Sequence, residues 1–303
     1  MKKKIWIALL LVYFVWGSTY LGIRFAVETI PPFLHAGVRF LIAGTILFPW
    51  RRLAGDPAPT RNQWKSAIII GVLLIVCGNG LIALAETNLP SGIAALLVAT
   101  TPMFMVIIEA LRPGGSKPTL IQVLALLIGF GGVALLIGPA EFGGTREFSL
   151  VSGGIVIAAA ILWSIGSIYN RHADLPESSL LFSGMEMLMG SIGLIILSLF
   201  KGEWIGFQIA DVSTRSIFGL IYLILIGSLV GFTSYAWLLR NAPISLLSTY
   251  PYVNPIVAVL LGALFAQEKI TPRLITSAII IVGSIILVNL SNKKNNQLSE
   301  QNT

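Results

Sequence analysis

Long apolar blocks separated by short polar stretches run through most of the chain. Each block is about 20 residues long, which is the length of α-helix that crosses a hydrocarbon core of ~30 Å. The blocks show none of the alternation that membrane-spanning strands require. The pattern therefore predicts an all-α polytopic membrane protein with ten transmembrane helices. The predicted spans are residues 5–23, 32–49, 66–85, 92–111, 119–138, 150–170, 179–200, 216–238, 244–265 and 273–290.

The basic residues predict how the chain is oriented. The sequence carries 20 Lys and Arg against 13 Asp and Glu, which gives a net charge of +7. With a cytoplasmic N-terminus, 13 of the basic residues fall in inner segments and 6 in outer ones, while Arg39 lies inside a span. The positive-inside rule therefore places both termini in the cytoplasm. Since the excess charge follows topology, we do not interpret it as affinity for nucleic acid.

Residues of the first half recur in the second half at a nearly constant separation. Trp16 and Trp163 lie 147 positions apart, as do Arg39 and Glu186. Later in each half the separation is 153 positions, for a group that includes Gly78. The recurrence predicts a duplicated five-helix unit. The predicted divisions are a first repeat at 1–139, a connecting loop at 140–149, a second repeat at 150–291 and a disordered polar tail at 292–303.

The odd number of helices in each repeat has a geometric consequence. The second repeat must enter the bilayer from the opposite face, so the two units are inverted about an axis in the membrane plane. Inverted repeats are typical of secondary transporters, whose substrate site lies near the midplane where the repeats meet. This predicted arrangement is the strongest indication of function in the sequence.

Arg39 and Glu186 are charged residues expected near mid-depth on equivalent helices. An isolated charge at that depth costs about 3 kcal/mol, so each residue needs a partner or a water-filled cavity. One interpretation is an internal salt bridge that holds the two halves together. The other is a substrate site in which Arg39 binds an anionic group and Glu186 binds a cationic group or a proton. Glu86, Glu186 and His35 are the candidate proton or coupling sites.

Further candidates are aromatic or polar residues inside the predicted spans. Trp16 and Trp163 lie deeper than an interfacial aromatic belt, so they form either helix contacts or an aromatic cavity wall that would suit a cation. Two prolines in the ninth span leave backbone carbonyls without their helical hydrogen bonds, which is tolerated where a helix lines a cavity. The predicted substrate-binding residues are Trp16, Arg39, Asn79, Trp163, Glu186, Tyr250 and Asn254.

Other kinds of site find no support in the residues. The chain has one cysteine, Cys77, and two histidines, His35 and His172, whose spacing fits no zinc motif. No glycine-rich phosphate loop follows a strand, and no pair of nucleophile and base is visible. We therefore expect no metal, no cofactor and no enzyme activity.

Several short stretches together carry a resemblance to a known family. They are Trp16–Tyr20, Ala36–Phe40, Gly78–Gly80, Pro90–Ala95 and Tyr252–Gly262. On these residues the chain resembles the EamA family of the drug/metabolite transporter superfamily, and within it the YedA-type inner-membrane transporters. The resemblance implies ten helices in two repeats and a central cavity lined by helices one to four and six to nine. It also implies export of amino acids, metabolites or drugs across a bacterial plasma membrane by alternating access.

One feature of that family is changed in this chain. A Gly-Glu pair often ends the fourth and ninth helices of its members. Here Gln267 and Glu268 keep the glutamate in the second half, while Leu111 and Arg112 of the first half lack it. Because only the second half keeps the glutamate, we do not expect the two helix ends to have the same role.

The sequence thus predicts a secondary transporter, an exporter of small organic metabolites such as amino acids, in a bacterial plasma membrane. The alternative within transport is a broad-specificity exporter of drugs or toxic compounds, with Met185, Met187 and Met189 in its lining. A membrane-embedded enzyme or lipid-handling protein is the alternative of another class. The predicted partners are a small-molecule substrate and the lipid bilayer. The fifth and tenth helices, apolar and rich in glycine, are either peripheral packing helices or the contacts of a homodimer.

Overall fold

Helices joined by turns and short loops make up the protein. The structure is a computed structural model, and it describes residues 2–115, 117–137, 150–242 and 250–301, in which there is no strand. The predicted connecting loop at 140–149 lies outside these ranges. In chain order the elements are α1 (Lys2–Ala26), α2 (Pro32–Leu53), α3 (Arg61–Ile70), a first π-helical segment (Gly71–Gly80), α4 (Leu81–Glu86), α5 (Ser91–Val98), α6 (Thr101–Leu111), α7 (Leu120–Ile137), α8 (Leu150–Asn170), α9 (Ser179–Phe200), a 3₁₀ turn (Ile209–Asp211), α10 (Thr214–Tyr222), a second π-helical segment (Leu223–Val230), α11 (Gly231–Asn241), α12 (Tyr250–Phe265) and α13 (Pro272–Gln301).

The lengths and apolar composition of the helices fit a membrane. Seven helices or continuous helical runs of the described residues are long and apolar enough to cross a bilayer. Three shorter apolar helices lie where the sequence predicts the fifth, ninth and tenth spans, at Leu120–Leu136, Tyr250–Phe265 and Pro272–Val288. The prediction of an all-α membrane protein is confirmed.

The helices differ in how their first turns are capped. α3 begins with a capping box formed by Thr60 and Gln63, and the Ser178 hydroxyl accepts a backbone N–H bond at the start of α9. α2 and α5 instead begin after Pro31 and Pro90, which provide no side-chain cap. The free N–H groups in the first turn of α2 and α5 therefore need acceptors from elsewhere in the protein.

The two π-helical segments lie in helices that the 153-residue recurrence makes equivalent. In the first segment the side-chain amide of Asn79 donates to the carbonyl of Leu74 at 3.1 Å, five positions earlier. A wider turn leaves backbone groups that side chains can bond, and such segments are frequent at functional sites. The second segment contains Ser228, which becomes important for the site below.

α2 and α9 pack closely along much of their length because small residues occur on both helices. The contacts at three glycines are Gly37 with Ile195, Gly44 with Leu188 and Gly184 with Phe48. Since residue numbers rise along one helix as they fall along the other, the two helices are antiparallel. These contacts define the register used below to place the charged residues.

α7 and α13 pack against each other within the chain. A Cβ atom added at Gly132 would lie 2.8 Å from Ile280 of α13, so the glycine allows a close approach of the two helices. The opposite faces carry exposed apolar side chains such as Leu127 and Ile279. The helices therefore serve as packing helices, as one of the two interpretations expected. The homodimer contact stays a prediction.

The last helix extends further than the sequence indicated. α13 is described to Gln301, and the predicted disordered tail at 292–303 stays a prediction. No glycine or proline follows Gly283, so nothing in the sequence stops the helix. Once a helix is nucleated, each added residue gains a backbone hydrogen bond.

Close packing at Gly71 can be tested with a pair of matched substitutions. A Cβ atom at Gly71 would lie 2.9 Å from the main-chain oxygen of Glu186 and 2.9 Å from the nitrogen of Gly190. Backbone atoms cannot move aside, so we expect Gly71→Val to destabilise the protein by about 1–3 kcal/mol. The measurement is the thermal unfolding midpoint in detergent.

The matched control is Gly131→Val on α7, where an added Cβ meets nothing within 4 Å. Both substitutions place a β-branched residue in a membrane helix, so helix propensity cancels. Equal midpoints for the two variants would contradict the packing of the first π-helical segment on α9.

Candidate functional site

Arg39 connects the two halves of the protein. Its side chain is only 4% exposed, and its Nε donates to the hydroxyl of Ser228 at 3.0 Å. The guanidinium carbon lies 4.6 Å from the centre of the Phe40 ring. A hydrogen bond and a cation–π contact therefore stabilise a charge that is buried in the helix bundle.

Glu186 lies on α9 and is 5% exposed. Among the described residues, neither the hydrogen bonds nor the ion pairs include its carboxylate. The register of α2 and α9 sets Arg39 opposite Gly193 and Glu186 opposite Ile46. The seven positions from Arg39 to Ile46 correspond to about 10 Å along the helix axis. The internal salt bridge between Arg39 and Glu186 is therefore absent from this structure, because the two groups lie at different depths.

Four aromatic side chains of α1, α11 and α12 form a cluster. The Trp16 ring lies 4.9 Å from Tyr235, 5.1 Å from Tyr250 and 5.7 Å from Phe232, measured between ring centres. Tyr235 and Tyr250 are 5.8 Å apart. Tyr235 interacts electrostatically with Arg171 and, more weakly, with Glu186. We call Trp16, Phe232, Tyr235 and Tyr250 the aromatic cluster.

Two members of the aromatic cluster were missed in the sequence. A signal for one of them was available, since Phe232 lies 153 positions after Asn79 and is its repeat equivalent. Tyr235 follows three positions later, on the same face of α11. Because Asn79 is polar and Phe232 is aromatic, their equivalence in the repeats does not by itself suggest that Phe232 and Tyr235 belong to the site.

Trp16 and Trp163 make equivalent contacts across the two halves. A Cβ atom at Gly231 would lie 2.6 Å from Nε1 of Trp16, and one at Gly78 would lie 2.6 Å from Cε3 of Trp163. Each tryptophan thus fills a notch that a glycine leaves in a helix of the other half. Trp16 also belongs to the aromatic cluster, whereas Trp163 has no ring contact among the described aromatic pairs.

The two predicted asparagines bond to main-chain carbonyls. Asn79 bonds within its own segment, as described above. Asn254 is buried, and with its amide nitrogen facing the carbonyls it donates to Tyr250 at 3.1 Å and to Tyr13 at 3.2 Å. The second contact ties α12 to α1. In this conformation Asn254 therefore positions a helix that carries part of the aromatic cluster.

Glu86 lies at the end of α4, apart from Glu186. Its side chain is fully buried, and neither carboxylate oxygen has a hydrogen-bond partner. Arg24 donates to the main-chain oxygen of Glu86 at 2.7 Å, and both Arg24 and Glu268 interact electrostatically with its carboxyl group. A buried carboxyl group with no partner is costly unless it is protonated. Glu86 therefore keeps its place among the proton candidates.

His35 lies one turn from Arg39 on α2 and is buried. Its Nδ1 is 3.2 Å from the carbonyl oxygen of Pro32, and its Nε2 has no partner. His35 is close enough to Arg39 to interact electrostatically. Within the described ranges, no three His, Cys, Asp or Glu side chains group as metal ligands.

Two carboxylates of the second half cap the helices that begin after prolines. Glu203 accepts from the N–H groups of Phe33 at 3.3 Å and Leu34 at 2.9 Å, in the first turn of α2. Glu268 accepts from the N–H of Ser91 at 2.7 Å and of Gly92 at 3.1 Å, in the first turn of α5. Each negative charge also lies at the positive end of a helix dipole.

Further polar contacts join the halves at the same end of the bundle. The N–H of Ser213 donates to the Thr29 hydroxyl at 3.0 Å, and an ion pair joins Arg215 to Glu28 at 3.2 Å. Ser216 donates to the carbonyl oxygen of Phe25 at 2.7 Å. We call these contacts, together with the caps by Glu203 and Glu268, the polar seal. At the other end of the bundle, the ion pairs Arg51–Asp56 and Arg112–Glu109 each lie within the first half.

Proteins that this chain is similar to are named as transporters. The model of the EamA-like transporter family matches residues 3–138 and again 153–290. The chain is 35% identical to an uncharacterized inner membrane transporter, YedA of Escherichia coli (strain K12), over 93% of this chain and 90% of that protein. It is 28% identical to the uncharacterized transporter YvbV of Bacillus subtilis (strain 168), over 94% and 92% of the two chains.

A solved crystal structure shows the same fold. It matches with a TM-score of 0.63 over 96% of this chain and 98% of the other, at 17% sequence identity. The family resemblance seen in the sequence is confirmed by the family match and the relatives. The family and the names of the relatives indicate a membrane transporter and not an enzyme. The chain belongs to the EamA-like transporter family, and it is a multi-pass membrane protein.

Proposed function

We propose that the protein is a secondary transporter that exports small organic solutes across a bacterial plasma membrane by alternating access. Family membership and the inner membrane location of one relative support the general class and place. The positive-inside rule supports cytoplasmic termini. The polar seal then lies at the outer face of the membrane, where α1 ends and α2 begins.

We infer that ten spans form two inverted five-helix repeats. Four observations support this arrangement. α2 and α9 are repeat equivalents and run antiparallel, as inversion requires. The two π-helical segments occur in equivalent helices, and Trp16 and Trp163 make equivalent contacts. The family model also matches the chain twice, once in each half.

The polar seal is the main observation in support of alternating access. Its contacts join residues of the first half to residues of the second half, with hydrogen bonds and one ion pair that can break and re-form. Rocking of one half against the other would separate Glu203 and Glu268 from the helices they cap. On this proposal the polar seal closes the outer face, and solute enters from the cytoplasm.

We propose small amphiphilic metabolites, including amino acids, as the general class of substrate. The alternative, a broad drug exporter, has less support, because it depends on methionines that line a cavity. Met185 and Met187 are fully buried in helix packing, where they cannot line a cavity. The aromatic cluster supports an apolar part in the substrate in either case.

Alternating access can be tested by locking the polar seal. Thr29 and Ser213 are in direct contact, and the chain has one native cysteine, Cys77. In a Cys77→Ala background, Thr29→Cys with Ser213→Cys should form a disulfide that holds the outer face closed. We expect oxidation to abolish counterflow in liposomes loaded with a panel of radiolabelled amino acids and organic amines, and a reductant to restore it.

The two single cysteine variants, oxidised in the same way, are the controls and should exchange solute normally. Full counterflow in the oxidised double variant would contradict the proposal that the seal has to open.

A second prediction concerns Arg39. Arg39→Ala removes the donor to Ser228 and leaves a hydroxyl and a cavity in the bundle, so we expect counterflow to be lost while the protein still inserts. Arg39→Gln keeps a donor without the charge, so it separates the two roles. If both variants lose counterflow, the positive charge of Arg39 is required for transport. Wild-type counterflow in Arg39→Ala would show that Arg39 serves only in packing.

A third prediction concerns the carboxylate caps. Glu203→Gln and Glu268→Gln each remove one acceptor oxygen and the negative charge at the positive end of a helix dipole, which costs about 1 kcal/mol. Each variant should open the outer face more often. In Cys77→Ala with Thr29→Cys, we expect labelling by an impermeant maleimide to rise about fivefold. Asp211→Asn, at an exposed position nearby, is the control. Unchanged labelling in both Gln variants would exclude the caps from the seal.

A further inference from the structure

We propose that Glu86 is a proton-binding site whose protonation holds the polar seal closed, so that the seal opens more readily as the pH rises. The inference rests on the proposed alternating access and names a ligand, the proton, that regulates it. Three observations carry it: the burial of the carboxyl group, the bonds of Arg24, and the short chain segment that connects Glu86 to the polar seal.

The first observation is that the carboxyl group of Glu86 is fully buried and that neither oxygen has a hydrogen-bond partner. None of the ion pairs among the described residues includes it. A carboxylate in such surroundings is costly, whereas a protonated carboxyl group carries no charge. A metal ion would need several oxygen ligands around it. The group is therefore suited to bind a proton while the helices are packed as in this structure.

The second observation is that Arg24 of α1 bonds to the main chain of Glu86 and not to its carboxyl group. The Nη1 of Arg24 donates to the carbonyl oxygen of Glu86 at 2.7 Å and to that of Thr87 at 3.3 Å. These carbonyls lie at the end of α4, where a helix leaves such groups without helical partners. Arg24 is thus held beside Glu86 without forming an ion pair with it. It can pair with the carboxylate once the packing loosens and water enters.

The third observation is the connection to the polar seal. Glu86 lies five residues before Ser91, the first residue of α5. Glu268 of the second half accepts from the N–H of Ser91 at 2.7 Å and from its hydroxyl at 2.8 Å. The carboxyl groups of Glu86 and Glu268 also interact electrostatically. A negative charge on Glu86 would therefore repel the carboxylate that caps α5, whereas a protonated Glu86 leaves that contact between the halves undisturbed.

Other ionisable groups lie near Glu86. α4 packs against α1, α2, α5, α8 and the first π-helical segment. α5 and α8 contain no charged residue, and the π-helical segment contains Cys77. The ionisable groups at the seal end of the remaining neighbours, including the segment after α12, are Tyr20, Arg24, His35 and Glu268. Because His35 and Glu268 are also ionisable, the test below compares variants of Glu86 itself.

The direction of the pH effect follows from the two environments of Glu86. With the seal closed, the buried group is stable only with its proton. With the seal open, water and Arg24 stabilise the carboxylate, so opening releases a proton from the carboxyl group to water. By linkage, the equilibrium shifts toward the open seal as the pH rises, by at most about tenfold per pH unit for one proton. Acid favours the closed seal.

The test follows the labelling of a cysteine inside the polar seal. Ser216 is fully buried, so in a Cys77→Ala background Ser216→Cys reacts with a maleimide only when the seal opens. Each rate is divided by that of Ile209→Cys, an exposed position, because thiol reactivity itself depends on pH. In the purified full-length protein, from about pH 5 to 9, we expect the ratio to rise about threefold or more per pH unit at its steepest. A ratio that is flat or falls with pH would overturn the inference.

Two variants assign the pH effect to Glu86. Glu86→Gln keeps the shape of the side chain and Glu86→Leu replaces it with an apolar one, and neither can ionise. In both, the ratio should stay at the low value of the wild type in acid. Because the oxygens of Glu86 have no partner to lose, we expect Glu86→Leu to fold even where Glu86→Gln does not.

The matched control is Asp211→Asn, which removes an exposed carboxylate and should keep the pH dependence of the wild type. Unfolding midpoints equal to that of the wild type show which variants are folded. If a folded Glu86 variant keeps the wild-type rise with pH, the proton site lies elsewhere and the inference fails.

The disulfide experiment described above separates this inference from the proposed function. If oxidation of the Thr29→Cys, Ser213→Cys protein blocks counterflow while the labelling ratio is flat with pH, alternating access stands and the proton site is refuted. If labelling rises with pH through Glu86 while the oxidised protein still exchanges solute, the proton site stands and the requirement for the seal to open is refuted.

Discussion

A polar group inside the hydrocarbon layer has no water to bond, so it must find its partner within the protein. The contact between Arg39 and Ser228 satisfies this requirement for the most deeply placed cation of the first half. Because the guanidinium comes from one half and the hydroxyl from the other, the bond that stabilises the buried charge also joins the halves. Any movement that separates them has to provide Arg39 with a new acceptor.

The main chain meets the same requirement at the end of the bundle that carries the polar seal. α2 and α5 begin after prolines and lack caps of their own, so their first N–H groups bond to Glu203 and Glu268 of the second half. A helix with its own serine or threonine cap would be stable in any arrangement of the halves. Caps supplied across the interface make helix stability depend on that arrangement, which suits a protein with two alternating states.

Glu186 stands apart from these satisfied groups. The glycine contacts of α2 and α9 separate it from Arg39 along the helix axes. Its carboxylate takes part in none of the ion pairs among the described residues. Of the two charges that the sequence predicts near mid-depth, Arg39 thus joins the halves, and Glu186 stays separate from it.

Length and apolar composition alone identify membrane helices, so the sequence by itself determined the class, the duplication and the unusual charges at Arg39 and Glu186. It could not show whether those charges meet, because a recurrence in the sequence makes two positions equivalent without fixing how the helices that carry them pack. Likewise Glu203 and Glu268 lie 169 and 177 positions from residues whose N–H groups they accept. Only the tertiary structure brings such distant groups together, because their contact depends on how whole helices pack.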